Sequence, residues 1–230
     1  MVDTPTYDAT RNRVEAYFDR TATRTWERLT SDAPVSGIRQ TVREGRDRMR
    51  DIMLSRLPND LNGRRVLDAG CGTGAMSEAL AERGADVVAI DISPQLIDIA
   101  TKRLPDHLAA RVTFASGDML SDDLGQFDHV LAMDSMIYYE APDLGRAIAR
   151  LAGRTRRSIV FTVAPRTPFL MAFFALGKVF PRADRSPTMI PHVPARIAQE
   201  TTRTGAAGAV HEVERVSRGF YISTCLEYTA

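Results

Sequence analysis

An α/β fold, with a seven-stranded, mostly parallel sheet and helices on both faces, is the fold class this sequence predicts. Three observations predict it. Between residues 65 and 163, β-like runs alternate with short helical patterns, an order that implies parallel strands joined by crossover helices. A glycine-rich stretch links the first of those strands to the first of those helices, the location that gives such a loop its meaning. Two further β-like runs then close the chain, hinged at Gly219. The 230 residues, 44% apolar and 26% charged, have ordinary globular composition, which excludes collagenous and disordered classes.

The elements follow in order. Val14, Tyr17, Phe18, Trp26 and Leu29 recur at multiples of helical spacing, as do Ile38, Val42, Met49, Ile52 and Met53, and two helices are expected. Pro34 and Gly37 separate them, and Pro58 with the Asn62-Gly63 turn closes an N-terminal helical arm, residues 1–58. Residues 59–230 are expected to form one domain. Its strands are predicted at Arg65–Ala69, Asp86–Ile90, Arg111–Ala115, His129–Met133, Arg157–Val163, Val210–Val216 and Phe220–Tyr228. Helices are predicted at Met76–Arg83, Pro94–Arg103, Leu144–Ala152 and Val193–Thr204. Ser93 is the expected N-cap of the second, with Pro94 at its first helical position. Around 165–195 the pattern breaks into an insert, where Pro165, Pro168, Pro181, Pro187, Pro191 and Pro194 frame the apolar run Phe169–Phe180.

That run is interrupted by Gly177 and Lys178 and is shorter than the ~20 residues of a membrane span. The N-terminus lacks a basic-then-apolar signal pattern, so a cytoplasmic location is expected. Two cysteines, Cys71 and Cys225, form neither a disulfide framework nor a zinc site. The net charge of +1 conceals an asymmetry: from Leu144 to Gln199 ten cations face a single acid, Asp184. A local excess of this kind fits an acidic ligand or an anionic lipid surface, or else a solvated arginine face, since all but two of the 30 basic residues are Arg.

The most informative stretch is Val66-Leu67-Asp68-Ala69-Gly70-Cys71-Gly72-Thr73-Gly74. Glycines there admit sharp dihedrals and let a ligand approach the main chain. Gly70-x-Gly72-x-x-Ala75 with Asp91 downstream also fits the dinucleotide fingerprint. Three details favour S-adenosylmethionine over NAD. Asp68 precedes the first glycine by two residues, where an acid meets a cationic amino group. A third glycine, Gly74, follows at once. A further acid, Asp118, follows the third strand in Gly117-Asp118-Met119, suited to an adenine amino group. Because ligands of open parallel sheets bind beyond the strands' carboxyl ends, Asp91 is expected to take both ribose hydroxyls. Ile92 and Met119 are expected to sandwich adenine, and the backbones of Gly70 and Met133 to hold the methionine part. Cys71 is expected to be a spacer within the loop.

Together these motifs resemble the Rossmann-like class I methyltransferases, and the remainder of the chain narrows the likeness. The arm around Tyr17-Phe18 and Arg24-x-Trp26, the stretch Val42-Arg43-Glu44-Gly45-Arg46, and Asp134-Ser135-Met136-Ile137-Tyr138-Tyr139 resemble the magnesium-protoporphyrin IX O-methyltransferases, as does Ala164-Pro165 before an apolar helix. The likeness runs from about Arg13 to Glu227. It implies methyl transfer from S-adenosyl-L-methionine to one propionate of Mg-protoporphyrin IX in (bacterio)chlorophyll biosynthesis, with S-adenosyl-L-homocysteine as the second product and Mg only as part of the substrate. It also implies substrate delivery by the large porphyrin-binding subunit of magnesium chelatase and an attachment that is soluble or peripheral to the membrane. Tyr17 and Gln95 join the expected cofactor contacts, and Tyr17 with Trp26 is expected to fold over the cofactor as a lid.

Tyr138 stands where many relatives have His, and Thr30 where some have Tyr, so a His-based acid/base role is not carried over. None is required: a propionate with a pKa near ~4.3 is ionised at neutral pH, and alignment with water exclusion suffices. Tyr138 and Tyr139 are the expected orienting residues. Arg166, Phe169, Phe173 and Lys178 are the expected substrate contacts, aromatics covering the macrocycle and cations holding the non-reacting propionate, since a tight Arg clamp on the reacting one would blunt its nucleophilicity. His192, between prolines, is either an axial ligand of the substrate's Mg or a turn residue. Alternatives are a methyltransferase of another small apolar acid or phenol, an NAD-dependent dehydrogenase, and a porphyrin carrier. With no basic–aromatic patch and no Asn-Pro-Pro-Tyr-like run, no nucleic-acid partner is expected.

Overall fold

The structure is a computed structural model that describes residues 5–18, 37–167, 171 and 189–229. Two helices open it, α1 (Pro5–Tyr17) and α2 (Gly37–Ser55). Five strands then alternate with helices: β1 (Arg65–Ala69), α3 (Ala75–Glu82), β2 (Asp86–Asp91), α4 (Pro94–Arg103), β3 (Val112–Ser116), β4 (Phe127–Ala132), α5 (Ala141–Ala152) and β5 (Thr155–Val163). α6 (Pro194–Arg203), β6 (Ala209–Arg218) and β7 (Tyr221–Thr229) complete the chain. The strands form one seven-stranded sheet in the order β3-β2-β1-β4-β5-β7-β6. β1 pairs in parallel with β2 and β4, β2 with β3, and β4 with β5. Only β7 runs antiparallel to its neighbours, β5 and β6.

Alternation along the strands divides the core into two layers. Leu67, Val130, Ile159 and Phe161 face α5 and α6, with Leu144, Ile148, Leu151 and Ile197. Val66, Val87, Leu131, Val160 and Cys225 face α2 and α3, with Met49, Met53 and Leu80. α2 packs on this layer, with Met49 and Met53 fully buried. Two ion pairs on it, Arg48–Glu214 and Arg218–Glu44, and a third just past its end, Arg56–Glu227, fasten it to β6 and β7. The β6–β7 turn lies on it too: Gly219 has φ +57°, and a Cβ there would stand 2.4 Å from Thr41 Oγ1.

The strand order reverses between β1 and β4, which opens a crevice at their carboxyl ends, the position where such sheets bind ligands. The helical reading of Trp26 and Leu29, and the apolar run Phe169–Phe180 apart from Met171, lie outside the described residues. Ser93 occupies the N-cap position of α4 as expected, yet its side chain makes no capping bond. Its backbone N–H instead donates to Asp91 Oδ1 at 3.0 Å, so the α4 entry is tied to the end of β2.

Candidate active site

A cavity of about 580 Å³ fills the crevice. Its floor is the loop between β1 and α3. Gly70 and Cys71 donate backbone N–H groups to the Ile90 carbonyl at 2.8 and 3.0 Å, and Gly74 donates to the Cys71 carbonyl at 3.0 Å. This folds the loop back across the end of β2. Gly70 takes φ +85°, and a Cβ there would lie 2.3 Å from the Ser135 Cβ. Only a glycine allows the loop to rest on the segment following β4.

Three carboxylates line the cavity at successive strand ends. Asp68, on β1, is 1% exposed and accepts a 2.5 Å hydrogen bond from Ser77 Oγ. Burial, reinforced by the nearby Asp91 charge and opposed by the Ser77 bond, pushes its pKa up to about 7. A buried carboxylate of this kind is made stable in its ionised form by an incoming cation. Asp91, at the end of β2, accepts from Gly72 N–H at 2.8 Å on Oδ2 and from Ser93 N–H at 3.0 Å on Oδ1. Each oxygen has a second lone-pair site for a hydroxyl donor. Asp118, after β3, is held by its own loop, where Leu120 N–H donates to Oδ1 at 2.9 Å. Arg154 anchors that loop through the Met119 and Ser121 carbonyls.

α1 closes this end. Tyr7 OH donates to Asp118 Oδ1 at 2.9 Å, and Arg11 Nη1 approaches Oδ2 at 3.0 Å. The Tyr7 ring stacks on Tyr139, with centroids 4.8 Å apart and planes at 18°. Burial and the neighbouring carboxylate push the Tyr7 hydroxyl well above its usual pKa, so it remains a donor. Removing that hydroxyl in Tyr7→Phe is expected to weaken cofactor binding about 3- to 10-fold, read by calorimetry with S-adenosyl-L-homocysteine, while Tyr7→Ala, which also loses the stack, weakens it further.

Of the residues singled out for cofactor and chemistry, Asp68, Gly70, Cys71, Gly72, Asp91, Ile92, Asp118, Met119, Met133, Tyr138 and Tyr139 all line this one cavity. Cys71 is buried, and burial with the Asp68 and Asp91 charges raises its thiol pKa well above normal, consistent with a neutral spacer. Burial raises the Tyr138 pKa out of the physiological range and the Tyr139 pKa to about 12, so both are donors at neutral pH and neither serves as a base. Two of the expected contacts, Tyr17 and Gln95, are not part of the cavity wall, though a neighbour of each is. Phe18, edge-on to Tyr138 at 6.4 Å, lines the cavity in place of Tyr17, and Leu96 does so in place of the exposed Gln95.

The expected substrate contacts are placed differently. Phe169, Phe173 and Lys178 lie outside the described residues. Arg166 is exposed just beyond β5 and is not part of the cavity wall. His192 is buried, and its Nε2 lies 2.9 Å from the Tyr139 carbonyl. Its backbone N–H donates to the Ala164 carbonyl at 2.8 Å. With Nε2–H so engaged, the ring braces the tyrosine-bearing loop. Burial holds the His192 pKa below normal. The unfolded chain takes up this proton near pH ~6.5, so this residue's contribution to stability is present above that pH and lost below it. His192→Gln is expected to lose less melting temperature on acidification than the unsubstituted protein, read as the difference between the two melts across pH; His129, also held low by burial, acts in the same direction.

Sequence reasoning missed the part of the lining that α2 supplies. Arg43, Arg46 and Arg50 of α2 belong to it, with Asp47 between them. The i, i+3, i+7 spacing of the arginines puts them on one helical face, a signal that was available in the sequence. The cavity thus carries carboxylates at the ends of β1, β2 and β3 and three arginines on α2, with Arg11 and Arg103 also in its lining.

This order of strands, with a glycine loop at the switch point and acids at the ends of β1, β2 and β3, defines a class I S-adenosylmethionine-dependent methyltransferase. Residues 66–157 match a general methyltransferase domain model, and residues 132–230 match the model of the magnesium-protoporphyrin IX methyltransferase C-terminus. The Mg-protoporphyrin O-methyltransferase of Rhodobacter capsulatus is 62% identical over 96% of this chain and 97% of its own length. That of Synechocystis is 30% identical over 93% of this chain and 94% of its own. The crystal structure of magnesium protoporphyrin IX methyltransferase from Synechocystis with bound SAH superposes with a TM-score of 0.79 at 26% identity, covering 95% of this chain and 99% of that one. The chain belongs to the magnesium-protoporphyrin O-methyltransferase family.

Proposed function

We propose that this chain methylates one propionate of Mg-protoporphyrin IX, using S-adenosyl-L-methionine and giving the monomethyl ester. The observation that carries the proposal is the make-up of one cavity: carboxylates at the ends of β1, β2 and β3, with Asp68 and Asp91 buried and Asp118 half-buried, suit a cationic, hydroxyl-bearing cofactor, and the arginines of α2 suit an anionic substrate. Asp68 would hold the cofactor's ammonium, Asp91 its ribose hydroxyls, Ile92 and Met119 its adenine faces, and the Gly70 and Met133 backbones its amino-acid end. When bound, the cofactor supplies an activated methyl carbon that bonds to the carboxylate oxygen as the carbon–sulfur electron pair returns to sulfur.

The protein's share is placement. The reacting carboxylate arrives ionised, so no residue has to remove a proton. Alignment alone supplies roughly 7–11 kcal/mol in well-oriented reactions. α1, clasped to Asp118, and the buried tyrosines keep water from the reacting oxygen.

We read residues 1–58 as the closing element of this site and 59–230 as the catalytic domain, with the insert at about 165–195 covering the macrocycle. Among the described residues no helix is long and apolar enough to cross a membrane. The exposed Met189 and Val193 near the end of the insert support a peripheral contact, and delivery from the porphyrin-binding subunit of magnesium chelatase completes the reading.

Incubation with S-adenosyl-L-methionine and Mg-protoporphyrin IX, followed by mass spectrometry, tests it. A single added methyl group is expected. Cofactor binding without any ester would leave a methyltransferase of another acid or phenol.

A further inference from the structure

Arg46 differs from Arg50, a turn further along α2, in its partner. Arg50 pairs within its own helix, with Asp47 at 2.8 Å. Arg46 instead crosses to the end of β4, where its Nη1 lies 2.5 Å from Asp134 Oδ2. Asp134 is the one non-glycine residue at positive φ among the described residues, at +56°. A conformation of this kind persists only where surrounding structure fixes it, and here it is fixed from three strands. The Asp134 N–H donates to Thr162 Oγ1 of β5 at 2.7 Å, and the Thr162 hydroxyl donates to Asp134 Oδ1 at 3.1 Å. Tyr221 OH of β7 donates to the same oxygen at 3.1 Å. The next residue, Ser135, packs against Gly70 and donates to the Ala69 carbonyl at 2.7 Å. Asp134 is thus pinned between the cofactor loop and α2, and it pins Arg46.

The side chains of Arg46 and Asp134 are 19% and 9% exposed, so the pair is presented on the cavity wall but shielded from bulk water. A guanidinium carries five donors in a rigid fork, well suited to orienting a carboxylate. An uncompensated one would also drain charge from the oxygen it holds, since a carboxylate beside Arg⁺ becomes a weaker base. With Asp134 in contact, the cation's field is largely cancelled while the direction of its hydrogen bonds is kept.

Resting on the function proposed above, we propose that Arg46 positions the reacting propionate and that Asp134, by compensating its charge, keeps the attacking oxygen nucleophilic. No proton moves: the oxygen lone pair forms the bond to the methyl carbon, and the broken carbon–sulfur bond leaves its pair on sulfur.

The test uses the full chain with Arg46→Gln and Asp134→Asn. Asn tolerates positive φ, so the loop geometry is retained. Three quantities are read: the Kd of S-adenosyl-L-homocysteine, the Kd of Mg-protoporphyrin IX, and the single-turnover transfer rate. In Arg46→Gln the transfer rate divided by porphyrin Kd is expected to fall about 10- to 100-fold, with homocysteine-cofactor affinity unchanged. That loss persists on a magnesium porphyrin carrying a single propionate. In Asp134→Asn the porphyrin binds more tightly while transfer slows, by about threefold or more each, the signature of a ground state held too well. Parallel losses in both variants would mark a merely structural pair and overturn the proposal. So would a loss that vanishes with the single-propionate porphyrin, because Arg46 would then hold the other carboxylate. An unsubstituted protein that makes no ester fails at the earlier step, before any variant is compared.

Discussion

Asp68→Asn is expected to raise the melting temperature of the ligand-free protein and to weaken S-adenosyl-L-homocysteine binding about 10- to 100-fold. Both effects have one cause. Asp68 is buried, and Asp91 lies close enough to oppose its ionisation, so its pKa stands at about 7 against an ordinary 3.8. Between those values the native state holds a proton that the unfolded chain has released. Stability therefore falls as pH rises through that window and stays lowered above it. Asn carries no charge, keeps an acceptor for the 2.5 Å Ser77 bond, and removes the penalty. The cofactor's ammonium requires the ionised form. Affinity in the unsubstituted protein should accordingly climb as pH approaches 7 and then level off, whereas that of Asp68→Asn should lack this rise. Calorimetry across pH, beside thermal melts without ligand, reads both; equal pH profiles in the two proteins would dismiss the role given to Asp68.

Gly70→Ala is expected to lower stability by about 2–4 kcal/mol, combining the left-handed penalty with overpacking, which corresponds to roughly 6–12 °C in melting temperature. The added Cβ would stand 2.3 Å from the Ser135 Cβ, and Ser135 is fixed through its hydroxyl on the Ala69 carbonyl. Relief requires the segment 134–135 or the glycine loop to move. Either motion disturbs Asp134 and its contact with Arg46, so cofactor affinity and methyl transfer should fall together. Ser135→Gly, which removes the opposing Cβ, is expected to restore part of both in the double variant. Without any such rescue, the loop and the β4 end would not be coupled as described.

Much of the fold was legible because its signals are local. The predicted and observed limits of β1, Arg65–Ala69, coincide, as do those of α4, Pro94–Arg103; a short buried run ahead of glycines and a proline at the first helical position mark these without tertiary help. That Asp68, Asp91 and Asp118 would meet in one cavity was legible for a related reason. Their positions are strand ends, and strand ends can be counted from sequence. Contacts carried on helices were harder. One residue along a helix turns the side chain by about 100°, which separates Phe18 from Tyr17 and Leu96 from Gln95 at the cavity wall. The pairs that close the site were not legible at all. Asp118 meets Tyr7 and Arg11 of α1, Arg46 meets Asp134, and His192 meets the Tyr139 carbonyl. Each joins segments far apart in the chain, and no local pattern announces which acid an arginine will find.

Porphyrin binding in the presence of saturating S-adenosyl-L-homocysteine tests most directly whether one cavity serves both ligands. Direct transfer requires both ligands to be held at once, the cofactor on Asp68, Asp91 and Asp118 and the carboxylate toward Arg46. Fluorescence titration with Mg-protoporphyrin IX should therefore give a ternary complex, with a porphyrin Kd equal to or lower than that of the ligand-free protein. A porphyrin Kd that rises in proportion to the homocysteine concentration would mean the two compete for one site, and the division of the cavity described here would be wrong.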